Sequence, residues 1–185
     1  MIRALAAILL TLIAWPALAQ DASLAAWARV YEVLSHPRCA NCHVGPDNVP
    51  IWFEPGSAAE PRPHGMNINA GPSRVGAETI ACSTCHRERN SPSRHGAPGA
   101  PNWKLAPVEM QWFGKTSAEI CAQLKDPARN GNRALDAVVD HVAHDKLVAW
   151  GWAPGPGRAP APYSAAETAA YLRQWSAAGA PCPRE

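Results

Sequence analysis

Two pentapeptides constrain this chain more than anything else in it: Cys39-Ala40-Asn41-Cys42-His43 and Cys82-Ser83-Thr84-Cys85-His86 share the pattern Cys-x-x-Cys-His. Cysteines three residues apart fall on one face of a helical turn, so both sulfurs can reach a common partner. Two chemistries use such pairs. A zinc ribbon gathers two of them around one ion, usually roughly 15 to 20 residues apart. Attachment of a c-type haem instead bonds both sulfurs to the vinyl carbons on one porphyrin edge, and the adjacent His binds the iron. Here 39 residues separate the pairs, and a His follows each directly. With 7 His in 185 positions, chance would place a His after both pairs only about once in seven hundred. The motifs therefore imply two covalently attached haem c groups, with Cys39, Cys42, Cys82 and Cys85 as thioether residues and His43 and His86 as proximal iron ligands.

The remaining composition fits a chain that leans on such groups. Residues 1–19 read as a secretory signal: Arg3 is the charged start, Ala4 to Ala14 the apolar stretch, and Ala17-Leu18-Ala19 a small-residue cleavage site. An uncleaved anchor is the lesser alternative, because the apolar stretch is short and ends at Pro16. Residues 20–185 are then one domain, exported to the periplasm, with no apolar run long enough to span a membrane. Only 23 of those 166 residues are Leu, Ile, Val or Phe, about 14% against the ~20% below which a chain ordinarily fails to build a core. Net charge after the signal is only +1, so the high charge of disordered chains is missing and a basic nucleic-acid surface is excluded. Two apolar macrocycles would supply the missing core, and the haem-free chain is expected to be largely unfolded.

Helical spacing of Leu24, Trp27, Val30, Tyr31 and Leu34 predicts a helix capped by Asp21 or Ser23 and closed at Pro37. Residues 44–77, rich in Pro and Gly, read as a wrapping loop, and 78–87 as a short helix bearing the second motif. A short helix from Pro107 to Phe113 is expected, then one opened by the capping box Thr116 to Glu119. Asn132 is placed as the cap of a third helix carrying Leu135, Val138, Val139 and Val142. A Gly/Pro linker spans 154–162, and the box Ser164 to Glu167 opens a terminal helix stopped by Gly179. No strand shows convincing alternation. The leftover pair Cys121 and Cys182 is expected to form a disulfide in an oxidising compartment.

An amphipathic helix running into Cys-x-x-Cys-His, with another closing the chain, resembles the frame of bacterial class I cytochromes c. The fold expected is thus mainly α, cytochrome c-like and loop-rich, built around two haems. Through His36-Pro37-Arg38-Cys39, Pro63-His64-Gly65-Met66-Asn67 and Trp150-Gly151-Trp152, the chain is similar to small exported di-haem cytochromes, including a group named isoquinoline 1-oxidoreductase subunits. That resemblance implies redox protein partners, a periplasmic molybdenum-dependent dehydrogenase among them.

The sixth iron ligands decide between function classes, since an iron closed by two side chains only passes electrons, whereas an open one binds small substrates. His64, in the wrapping loop, and His141, beside the apolar stripe of its helix, are the leading distal candidates; His36, His95 and Met110 are weaker ones, with Met66 behind them. Arg62, Arg74, Arg87 and Arg89 are candidate propionate partners, and Trp103, Trp112, Trp150 and Trp152 are candidates to pack on the porphyrins. An electron carrier is the preferred reading. A haem enzyme, a di-haem peroxidase or small reductase with one five-coordinate iron, is the alternative, and a haem-bearing sensor or assembly module a third.

Overall fold

Trp27, Val30 and Leu34 recur on one face of the first helix, α1 (20–34), and bury that face completely against the last one, α6 (Ala165–Ala177). The structure, a computed structural model, describes residues 20–54, 60–93 and 96–184; the expected signal and His95 lie outside them. Trp27 and Trp175 meet at the centre with ring centroids 4.8 Å apart. Each fully buried indole contributes about 4–6 kcal/mol of gross transfer free energy, before the entropy of ordering it. Ser23 sits inside α1 rather than capping it, and its hydroxyl donates to the Trp175 carbonyl at 3.2 Å.

After α1 comes one turn, α2 (Pro37–Ala40), then α3 (Ser117–Lys125), α4 (Leu135–His144) and α5 (Ala149–Trp152), with α4 packed along α6. Both expected capping boxes are present: Thr116 with Glu119 opens α3, and Ser164 with Glu167 opens α6. Gly179 follows α6 at φ +85°, a left-handed position that favours glycine. Asn132 does not cap α4. The N-cap of α4 is Ala134, with no side-chain bond; Asn130, buried upstream, braces the preceding turn by accepting from the Arg133 backbone N–H and donating to the Leu124 and Arg133 carbonyls. The expected disulfide joins Cys121 of α3 to Cys182, closing a loop worth roughly 4 kcal/mol in the chain-entropy model.

About 42% of the described residues are helical, with few strands and much loop. Two short antiparallel ladders cross the wrapping segment: β1 (Ile51–Trp52) with β2 (Arg62–Pro63), and β3 (Gly76–Ala77) with β4 (Ile80–Ala81). They replace part of the expected irregular loop, and β4 replaces the first turn of the helix expected over 78–87. Gly76 permits that hairpin, because a Cβ there would stand 2.5 Å from Ala81 Cα. Among the described residues the wrapping half has a thin core of Val44, Ala70 and Leu105, braced by the buried Arg74 guanidinium, which donates to the Val44 and Gly45 carbonyls and to Asn48 Oδ1.

The helical half has a core of its own residues. Trp27, Trp112, Trp175, Ile120, Leu172 and the valines of α4 pack together with small alanines, so aromatic bulk replaces the missing aliphatics. An apolar cavity of about 20 Å³ is left there, room for about one water.

No helix among the described residues is long and apolar enough to cross a membrane.

Candidate functional site

Both Cys-x-x-Cys-His motifs fold as one tight turn. The His43 N–H donates to the Cys39 carbonyl at 3.2 Å, and the His86 N–H to the Cys82 carbonyl at 2.9 Å. Pro37 begins the first turn as α2, and the second is a 3₁₀ turn over Cys82–Thr84. None of Cys39, Cys42, Cys82 and Cys85 is disulfide-bonded. Burial pushes the Cys39 thiol up to about 12 and the Cys42 thiol up to about 11, so both stay protonated at neutral pH.

The two histidines are held alike. His43 Nδ1 donates to the Met110 carbonyl at 2.7 Å, and its ring lies flat on Trp112, with centroids 3.4 Å apart and planes within 3°. His86 Nδ1 donates to the Pro98 carbonyl at 2.8 Å, and its ring lies parallel to Trp103 at 4.6 Å. A backbone acceptor on Nδ1 fixes the tautomer and leaves the Nε2 lone pair for a metal. Burial depresses both imidazoles, His43 to about 3, so they are neutral at physiological pH. Trp103 and Trp112, expected against porphyrins, thus support the imidazoles.

Across from His86 stands His64, with ring centroids 5.8 Å apart and planes at 65°. Its Nδ1 donates to the Gly65 carbonyl at 2.8 Å, so its Nε2 is left for other use. The ladder β1–β2 places it, and its own N–H donates to the Pro50 carbonyl. His141 approaches the first site from the helical side. It shares the small cavity with Met110 and Trp112, the two residues that flank His43, and its positive charge would depress His43 further. Asp145 Oδ2 lies 3.4 Å from its Nδ1.

The other candidates are placed differently. His36 caps α2, its Nδ1 accepting from the Arg38 N–H at 3.2 Å; that tautomer puts the proton on Nε2. Met110 is buried in the helical core and presents its carbonyl to His43. Met66 is 83% exposed at φ +62°.

The wrapping half also carries the large exposed apolar side chains among the described residues: Trp52 at 55%, Val75 at 48% and Ile80 at 43%, besides Met66. Arg62 stacks over Trp52 at 4.4 Å, Arg74 is buried, and Arg87 and Arg89 are exposed. Among the described residues, three buried donors have no acceptor: Arg74 Nε, Trp112 Nε1 and Trp152 Nε1. Such groups cost about 1–3 kcal/mol each unless something else accepts their hydrogen bonds.

Two residues that sequence reasoning passed over complete the second site. Asn90 accepts from Trp150 Nε1 at 3.0 Å and from the Gly99 N–H at 2.9 Å, while donating to the Pro154 carbonyl. Gly99 allows the Pro98 carbonyl to reach His86, since a Cβ on it would meet the Arg89 and Arg87 carbonyl oxygens at 2.2 and 2.3 Å. A Gly after Pro98 was visible in the chain; its crowding was not.

No family model, curated protein or solved structure matches the chain.

Proposed function

We propose that the protein is a periplasmic di-haem cytochrome c that relays single electrons between redox proteins, with the fold of residues 20–185 organised as a cytochrome c-like frame around both cofactors. The observation that carries this reading is the pairing of His64 with His86. Two metal–imidazole bonds of about 2 Å each, with about 1 Å more from each nitrogen to its ring centre, separate the centroids of axial ligands by about 6 Å. The 5.8 Å found between these rings suits an iron closed on both sides. Among the described residues no group of three or more His, Cys, Asp or Glu is gathered to hold a metal ion. A porphyrin needs no such group, because it brings four nitrogen ligands itself.

Cys39 and Cys42 would attach the first haem and Cys82 and Cys85 the second, with His43 and His86 proximal. His64 would close the second iron, and His141 is best placed to close the first. The haem supplies the one-electron couple; the chain orients the imidazoles of His43, His64 and His86 through their Nδ1 bonds to backbone carbonyls. The orphaned donors on Arg74, Trp112 and Trp152 suit carboxylate acceptors such as propionates. A first haem would have to part the helical core, where the cavity beside Met110 and Trp112 is small, whereas the second would meet apolar side chains already exposed. Export of residues 20–185 after loss of the signal, and partners such as a molybdenum-dependent dehydrogenase, belong to the same proposal.

The test is the visible and magnetic circular dichroism spectrum of the purified holoprotein. Low-spin, cyanide-resistant iron at both sites supports the carrier. A persistent high-spin band with fast peroxide reactivity would make it a haem enzyme working at one five-coordinate iron.

A further inference from the structure

The segment Trp150-Gly151-Trp152 lies between the two motifs, with the Trp150 indole toward the second. Trp152 and Cys39 are both partly buried against the edge of the helical core. Gly151 lies against the residue before that cysteine, since a Cβ on it would stand 3.6 Å from Arg38 Cβ. The Arg38 guanidinium sits 5.3 Å over the Trp150 ring, and its head is pinned by Glu54 and the Ala159 carbonyl. Trp150 meets Trp103 edge to face at 5.1 Å, and Trp103 lies parallel to His86 at 4.6 Å. Asn90 fixes Trp150 through its indole N–H. Covalent bonds and ring contacts thus form one continuous line from Cys39 to the ring of His86. The aromatic contacts run from Trp150 through Trp103 to His86, and the Arg38 side chain joins Trp150 to the first motif.

We propose that Trp150 and Trp103 carry the electronic coupling between the two haems. This rests on the di-haem reading above. In each event one electron leaves the ferrous iron of one haem and reduces the ferric iron of the other. No bond forms or breaks and no proton moves, and the indoles bridge without being oxidised or reduced themselves.

The experiment compares wild type, Trp150→Leu and Trp150→Phe as half-reduced holoproteins, using exchange NMR of the haem methyl resonances at dilutions where exchange between molecules is negligible. Intact mass first establishes two haems in each; a protein without them ends the di-haem reading itself, not only the bridge. With both haems present, the expected result is severalfold slower exchange in Trp150→Leu and near wild-type exchange in Trp150→Phe, with spectra and potentials unchanged. An unchanged rate in Trp150→Leu overturns the bridge. Equal slowing in both variants, or an altered spectrum of the His86 haem, assigns Trp150 to packing and overturns it equally.

Discussion

His64 faces His86 with ring centroids 5.8 Å apart, although 21 residues separate them and the two sit on different turns. Each has its Nδ1 committed to a backbone carbonyl at 2.8 Å. If the pair grips one iron, His64→Ala removes a ligand and nothing that the core depends on, because the residue lies on the thinly packed half. The holoprotein should keep both haems, turn half of its iron high-spin and gain cyanide binding at one site, read by titration of the visible spectrum. A His64→Ala protein with two low-spin irons would assign the sixth ligand elsewhere.

Gly99 has no room for a side chain. Gly99→Ala drives a Cβ into the Arg87 and Arg89 carbonyls, and the loop must shift, which ordinarily costs about 1–3 kcal/mol. The shift carries the Pro98 carbonyl off His86 Nδ1. Thermal unfolding should show the loss of stability, and the spectrum of the second haem should change while the first stays as in wild type. Equal effects on both haems would contradict the local account.

The unevenness of the core leads to another outcome. Trp27, Trp175, Ile120 and Leu172 are fully buried among α1, α3 and α6, and the Cys121–Cys182 disulfide ties α3 to the tail. Among the described residues of 41–105 the buried cluster is Val44, Ala70 and Leu105. Chain produced without haem should therefore keep slow amide hydrogen exchange in α1, α3, α4 and α6 and lose it across 41–105. Uniformly fast exchange would restore the simpler expectation that the whole chain depends on the cofactors.

Local chemistry explains what the sequence revealed. Thr116 with Glu119 and Ser164 with Glu167 announce helices because capping is a matter of four consecutive residues, and the Cys-x-x-Cys-His turns are equally local. The helical stripe of α1 was legible for the same reason. The β3–β4 hairpin was not, since Gly76 matters only through its approach to Ala81. Nor was the matched support of the two histidines: the carbonyl and indole that hold His43 come from Met110 and Trp112, and those for His86 from Pro98 and Trp103. No spacing rule reports which distant backbone group accepts from an imidazole. His141 could be placed beside the stripe of its helix, but its approach to the first site depends on how α4 packs, which is a tertiary fact.

The central claim is that both motifs carry covalently bound haem, and intact-mass spectrometry of the protein exported from a host with c-type haem maturation tests it most directly. The expected mass is that of residues 20–185 plus two haems, falling by one haem when Cys39 and Cys42 are both replaced by Ala and by one when Cys82 and Cys85 are. A polypeptide mass with no haem added, from a host that loads other c-type cytochromes, would contradict it.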